Sequence, residues 1–169
     1  EPHHPGTLIK NVCTDESSIV TGIAGKKDFL SFNISKDHMS NEVGFLRRAL
    51  SIFEKYNVSI EHIPSGIDSF SVVVSGSSVE KCQYELVTDL KNELDANVTI
   101  ESDIALVAIV GRNMAKRSGI CGTIFQTLGA QKINVKLLAQ GPEELNIIIG
   151  VASKDYEDTI KSLYNNLVA

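Results

Sequence analysis

Glu61 and His62 stand side by side, a pairing that would suggest proton transfer if both side chains reached one surface. They sit in Val58-Ser59-Ile60-Glu61-His62-Ile63, which reads as a strand, and neighbours on a strand point to opposite faces, so they form no dyad. His3 and His4 are adjacent in a proline-flanked leader without further ligands, a poor metal site. Cys13, Cys82 and Cys121 are odd in number and far apart, with no CxxC pair, and read as reduced thiols. The basic stretch from Gly111 to Gly119 is bounded by glycines but lacks the GxxxxGK[ST] order that wraps phosphates. With no nucleophile–base pair, metal cluster or phosphate loop, the residues point to binding rather than catalysis, and no metal is expected.

Composition narrows the binding partner. A chain of 169 residues with 43% hydrophobic and 22% charged residues is that of a globular protein able to bury one ordinary core or two small ones. A formal net charge of −5 and the absence of a Lys/Arg cluster argue against nucleic acid. No apolar run approaches the roughly 20 residues that span a bilayer, so no membrane partner and a cytoplasmic location are expected.

The elements that must hold a ligand emerge from an internal repeat. Gly44 and Gly119 are 75 residues apart, as are Gly66 and Gly141. At the same offset Val58, Ile60, Phe70 and Val72 fall on Ile133, Val135, Leu145 and Ile147, and Leu50 and Phe53 fall on Phe125 and Leu128. A shared ungapped offset predicts one supersecondary unit present twice. In the first unit Leu30, Phe32 and Ile34 alternate as a strand. A helix follows with Val43, Leu46, Leu50 and Phe53 on its apolar face. Two strands flank the turn Pro64-Ser65-Gly66, a second helix opens on a Ser77/Glu80 capping box, and Val98 and Ile100 close the unit. The order is βαββαβ, the ferredoxin-like arrangement of an α+β fold.

The second unit repeats this with a strand at residues 105–110, a helix at 119–128, strands near 133–138 and 145–151, and a helix facing inward through Tyr156, Ile160, Leu163 and Leu167. The chain then stops before a closing strand, which would leave an open sheet edge. The spare apolar run Ser18-Ile19-Val20-Thr21-Gly22-Ile23 is expected to fill it. The expected division is a leader at 1–17, a first unit at 26–102, and a second unit made of 18–25 plus 103–169, so that the first is inserted into the second.

These units resemble the tandem ACT domains that form the regulatory region of aspartate kinase, of the lysine-sensitive monofunctional type. The resemblance covers nearly the whole chain. It is carried by Met39-Ser40-Asn41-Glu42-Val43-Gly44-Phe45-Leu46, by the run from Asn57 to Asp68, and by Gln140-Gly141 with Glu144-Leu145-Asn146-Ile147. Pro5-Gly6-Thr7-Leu8-Ile9 resembles the linker leaving the kinase domain, whose own motifs are absent here. The resemblance implies feedback control of aspartate-family amino-acid biosynthesis, with an end-product effector: lysine first, threonine next. It implies a homodimer through the ACT domains and a kinase domain in the same or a partner chain. No cofactor is expected in this chain, since ATP and Mg serve the kinase domain only.

Carried over residue by residue, the effector contacts would be Met39, Gly44, Phe45, Leu46, Ser59, Ile60, Glu61, Ser65, Gly66, Ile67 and Asp68. A second-unit site would use Asn113, Met114, Gly119, Ile120, Gln140 and Asn146, although Gln140-Gly141-Pro142-Glu143-Glu144 departs from the family's usual Gln-Gly-Ser-Ser-Glu. The chemistry is consistent with this. A loop before a helix offers N–H groups to a carboxylate, Gly44 permits close approach, and Glu61 and Asp68 could meet an ammonium. The alternatives are an ACT-type regulatory subunit of another amino-acid biosynthetic enzyme and a ferredoxin-like RNA-binding module. The second would need aromatic residues on the central strands, and the two strands that flank Pro64-Ser65-Gly66 have only Phe70.

Overall fold

The computed structural model describes residues 19–111, 114, 117–140 and 145–168. In chain order they form β1 (Gly22–Ser35), α1 (Phe45–Lys55), β2 (Ser69–Ser75), α2 (Gly76–Val79), α3 (Gln83–Leu94) and β3 (Asn97–Val110). These are followed by α4 (Ile120–Ala130), β4 (Leu137–Ala139), β5 (Asn146–Ala152) and α5 (Tyr156–Leu167). Short 3-10 turns occupy Met39–Asn41 and Ser153–Asp155. The strands make one antiparallel sheet in the order β2-β1-β3-β5-β4.

Two strands of 14 residues each span the sheet's centre. The second half of β1 pairs with β2 and with the start of β3, whereas Gly22–Lys26 lies against Leu106–Val110. The register shifts between Lys26 and Phe29 and again before Ser31, where Asp28 (φ 73°) and Asp103 (φ 64°) adopt left-handed backbone. Such bulges reset which side chains face the core. On one side of them Phe32, Ile34, Val72, Val74 and Val98 pack under α1 and α3, with Phe32 and Phe53 edge to face at 5.5 Å. On the other, Val107, Ile109, Ile147, Ile149 and Val151 pack with Ile124, Leu128 and Leu163, and Val20 is buried among them. Between the two cores Phe29, Val73 and Ile104 form a small joint.

The structure is α+β, as expected, and it adjusts several details of the sequence reading. The α1 face is not Val43, Leu46, Leu50 and Phe53: Val43 is 99% exposed, and the buried residues are Phe45, Ala49, Ile52 and Phe53. Both sets have helical spacing, and the winner places Phe45 against Phe70. Residues 58–63 make one isolated bridge, His62 to Val73, instead of a ladder. The N–H groups of Glu61 and His62 both donate to the Val73 carbonyl (2.9 and 3.3 Å), two residues opposing one, as in a bulge. The second helix opens at Gly76 with Ser75 before it and no side-chain cap, so the Ser77/Glu80 box is not formed.

The repeat is real but gapped. Helices α1 and α4, 11 residues each, keep the offset of 75. Past the hairpins, Ser75 opposite Phe29 corresponds to Ala152 opposite Ile104, an offset of 77. The last helices then start at Gln83 and Tyr156, an offset of 73, because residues 76–82 separate β2 from α3 whereas only residues 153–155 separate β5 from α5. Phe70, 3% exposed, therefore corresponds to Ile147 at 1%, not to Leu145 at 55%.

Candidate ligand-binding site

Helix α1 begins on Gly44 with φ 78°, a left-handed conformation that a Cβ strains. The glycine has no side chain to cap the first turn, so no side-chain cap is made there, and the Phe45 N–H donates instead to the Glu42 carbonyl at 3.2 Å. An added Cβ would meet only Arg47 Nε, at 4.0 Å; backbone geometry rather than crowding makes this position a glycine. Helix α4 opens in the same way on Gly119, φ 91°.

The first-unit loop and hairpin come together at this helix end. The N–H of Lys36 donates to the Asp68 carbonyl at 3.2 Å, and the rings of Phe45 and Phe70 meet edge to face at 6.1 Å. The hairpin closes on itself through Gly66 N–H to the Ser69 carbonyl (2.7 Å) and a Ser65–Phe70 bridge. Met39, in the 3-10 turn, is half-buried against the first core, as is Ile60. Phe45 is 3% exposed, so its ring belongs to the core. Ser59, Glu61, Ser65, Gly66 and Asp68 are exposed, with Leu46 at 41% and Ile67 at 78%. The surface these residues form is open. The large cleft of about 710 Å³ lies elsewhere, over the junction of the two halves, lined by Lys27, Asp28, Gly76, Ser77, Ser102 and Asp103 among others.

Charged groups that the sequence reading did not single out hold the loop. Lys36 Nζ donates to the Leu94 carbonyl at 2.9 Å and lies 3.2 Å from Glu42 Oε2, while Arg48 pairs with Glu42 Oε1. Hydrogen bonds from Arg48 and then Lys36 keep the Glu42 carboxyl below the usual carboxylate range. Both cations also flank the Phe45 ring, at 5.7 and 5.8 Å. The six-residue separation of Glu42 and Arg48 crosses a loop-to-helix boundary, so no helical spacing rule would have paired them.

In the second half, Asn113 lies outside the described residues, as do residues 141–144. Met114 is 1% exposed and Ile120 7% exposed, both in the second core. The Cys121 thiol donates to Gln140 Oε1 at 3.3 Å, bringing Gln140 to the start of α4. Asn146 sits opposite Val110 in the ladder, and its Oδ1 is buried without a partner. Among the described residues no group of three or more His, Cys, Asp or Glu could hold a metal ion, and no helix is long and apolar enough to cross a membrane.

Comparison with known proteins decides the family. Residues 107–167 match the ACT-domain family model. Aspartokinase 3 of Bacillus subtilis is 29% identical over 170 residues, covering 99% of this chain and 37% of that protein. The crystal structure of Clostridium acetobutylicum aspartate kinase, described as an allosteric enzyme, superposes with a TM-score of 0.86 at 39% identity, over 91% of this chain and 36% of that one. This is an ACT-type regulatory region of the aspartokinase kind. The ACT region spans little more than a third of either of these proteins. Its fold is shared more widely: E. coli aspartokinase III, solved in complex with lysine and aspartate, superposes with a TM-score of 0.75 at 22% identity, over 93% of this chain and 35% of that one.

Proposed function

We propose that this chain is the allosteric effector-binding region of an aspartate kinase, and that its first unit takes an end-product amino acid, lysine first and threonine next. The observation that carries the reading is the meeting of two loops at the start of α1: residues 36–44 with their left-handed Gly44, and the hairpin at 65–70, joined by the Lys36–Asp68 hydrogen bond and the Phe45–Phe70 contact. The first turn of α1 supplies N–H groups for the effector's carboxylate. Glu61 and Asp68 supply negative charge for its ammonium groups, and Met39, Leu46 and Ile67 supply apolar surface for its methylenes. That lysine accompanies the same fold in the E. coli enzyme supports the first choice of effector.

In this reading the two units are a first ACT domain at 26–102 and a second assembled from 18–25 and 103–169, supported by the pairing of Gly22–Lys26 with Leu106–Val110. The openness of the site fits completion by a second copy in a homodimer. Occupancy then biases a kinase domain of the same or a partner chain through unequal affinity for two states. Phosphorylation of the aspartate β-carboxylate, with ATP and Mg, belongs to that domain, and the whole protein is cytoplasmic.

Calorimetric titration of the chain with lysine, threonine and methionine separately tests the proposal. Lysine should bind. Threonine binding with lysine silent would change the effector and keep the sensor, whereas silence from all three would remove the sensor reading. Acyl phosphate formed from ATP and aspartate by this chain alone would contradict a purely regulatory role.

A further inference from the structure

The charged cluster at residues 36–48 joins three pieces of the first unit that no ladder connects. Lys36, just past β1, reaches the last carbonyl of α3 at Leu94 (2.9 Å) and approaches Asp95 (4.0 Å). Glu42, two residues before Gly44, is held by Lys36 at one carboxylate oxygen and by Arg48 of α1 at the other. Their side chains are 24%, 32% and 40% exposed, so the group is a partly desolvated network rather than a solvated surface pair.

The second unit provides a contrast within the same molecule. At the offset of 75 that α1 and α4 share, Lys36, Glu42 and Arg48 correspond to Gly111, Arg117 and Thr123. The helix start is repeated there and the charge network is not, so the network is no requirement of the fold.

We propose that Glu42 is the clasp of the effector loop: a positioning residue whose joint hold on Lys36 and Arg48 keeps residues 36–44 in the shape that receives the amino acid. The inference rests on the effector-site reading above and adds what sets that site's affinity. A loop that occupies its binding shape only part of the time binds more weakly in proportion to that fraction; an ion network tying the loop to α1 and α3 raises the fraction.

The test uses Glu42→Gln, Arg48→Gln and the double variant, with Asp89→Asn as control. Asp89 of α3 accepts from Lys55 Nζ (2.7 Å), and this ion pair joins the same two helices away from the loop. Amide exchange of the ligand-free chain and calorimetry with lysine and threonine are read together. Glu42→Gln and Arg48→Gln should each speed exchange at residues 36–45 and weaken effector binding about tenfold. The double variant should be no weaker than the weaker single variant, and Asp89→Asn should bind like the wild type. Unchanged loop exchange in a folded Glu42→Gln chain overturns the proposal, and so does an Asp89→Asn chain that loses as much affinity, since affinity would then only follow stability. If the wild type binds neither amino acid, the effector reading fails on its own, and loop exchange still decides whether Glu42 clasps the loop.

Discussion

The two halves of the molecule start from the same template and end with different surfaces. Helices α1 and α4 have equal length, equal offset and a left-handed glycine before each. Yet α1 carries Arg47, Arg48, Glu54 and Lys55, and α4 carries no charged residue. The outer side of α4 presents Phe125 at 39% exposure together with Gly122 and Gly129, at neither of which an added Cβ would meet anything within 4 Å. The loop before α1 is tied by Glu42, a residue the other half replaces with Arg117. What the halves share is the geometry a ferredoxin-like unit needs. What differs is what a ligand loop needs, and this concentrates the proposed effector chemistry in the first half.

The largest expected effect separates the halves outright. Gly111 approaches Ile19 so closely that a Cβ would stand 2.0 Å from the Ile19 carbonyl oxygen. Gly111→Ala should therefore push residues 19–21 off the second core, at a cost of about 1–3 kcal/mol or more, while the first half keeps its melting transition. Starting the chain at Lys26 should do the same more completely, because it removes buried Val20 and the ladder from Gly22 to Gly25. A truncated chain with an unchanged unfolding midpoint, measured by circular dichroism in urea, would contradict the interleaved division.

Next in size is the paired glycine test. Gly44→Ala and Gly119→Ala each force a Cβ into left-handed backbone at about 1–2 kcal/mol, with open space around both. Both should lower stability similarly, but only Gly44→Ala should weaken amino-acid binding in calorimetry. Equal loss from the two would erase the functional distinction between the halves. Glu61→Ala should weaken binding while leaving the melting point nearly unchanged, since Glu61 is exposed and is held in place through its backbone.

The smallest effect concerns the charge tie between α1 and α3, which is absent from the charge-free α4. Hydrogen bonds from Lys55 and then Tyr56 hold the Asp89 carboxyl below its usual range. Its contribution is therefore full above the ordinary aspartate range and is lost as pH falls through the depressed value. The same hydrogen bonds raise Lys55 and Tyr56, so their contribution is lost as pH rises through the raised values. Asp89→Asn should flatten both arms of the urea midpoint against pH without touching effector affinity.

Much of this was legible in the sequence, for physical reasons that also mark where it stopped. Alternation at Leu30, Phe32 and Ile34, and the glycines at 44 and 119, report local backbone and burial, and these gave the unit and its repeat. The two-residue shift after the hairpins was hidden because both strands carry unbroken apolar runs, Val72-Val73-Val74 and Ile147-Ile148-Ile149, so Phe70 matched Leu145 as plausibly as Ile147. Alternation alone could not show that Lys26 and Phe29 flank bulges that fuse short strands into β1 and β3. The cluster of Lys36, Glu42, Arg48 and the Leu94 carbonyl depends on α3 packing beside the loop, a tertiary fact with no sequence period.

Titrating the isotopically labelled chain with lysine, and following backbone amide shifts, decides whether the first half is the amino-acid sensor. Saturable changes should gather on Gly44, Phe45, Leu46, Glu61 and Gly66, with Gly119 and Ile120 still. Shifts centred on Gly119 and Ile120, or none at saturating lysine and threonine, would contradict that role.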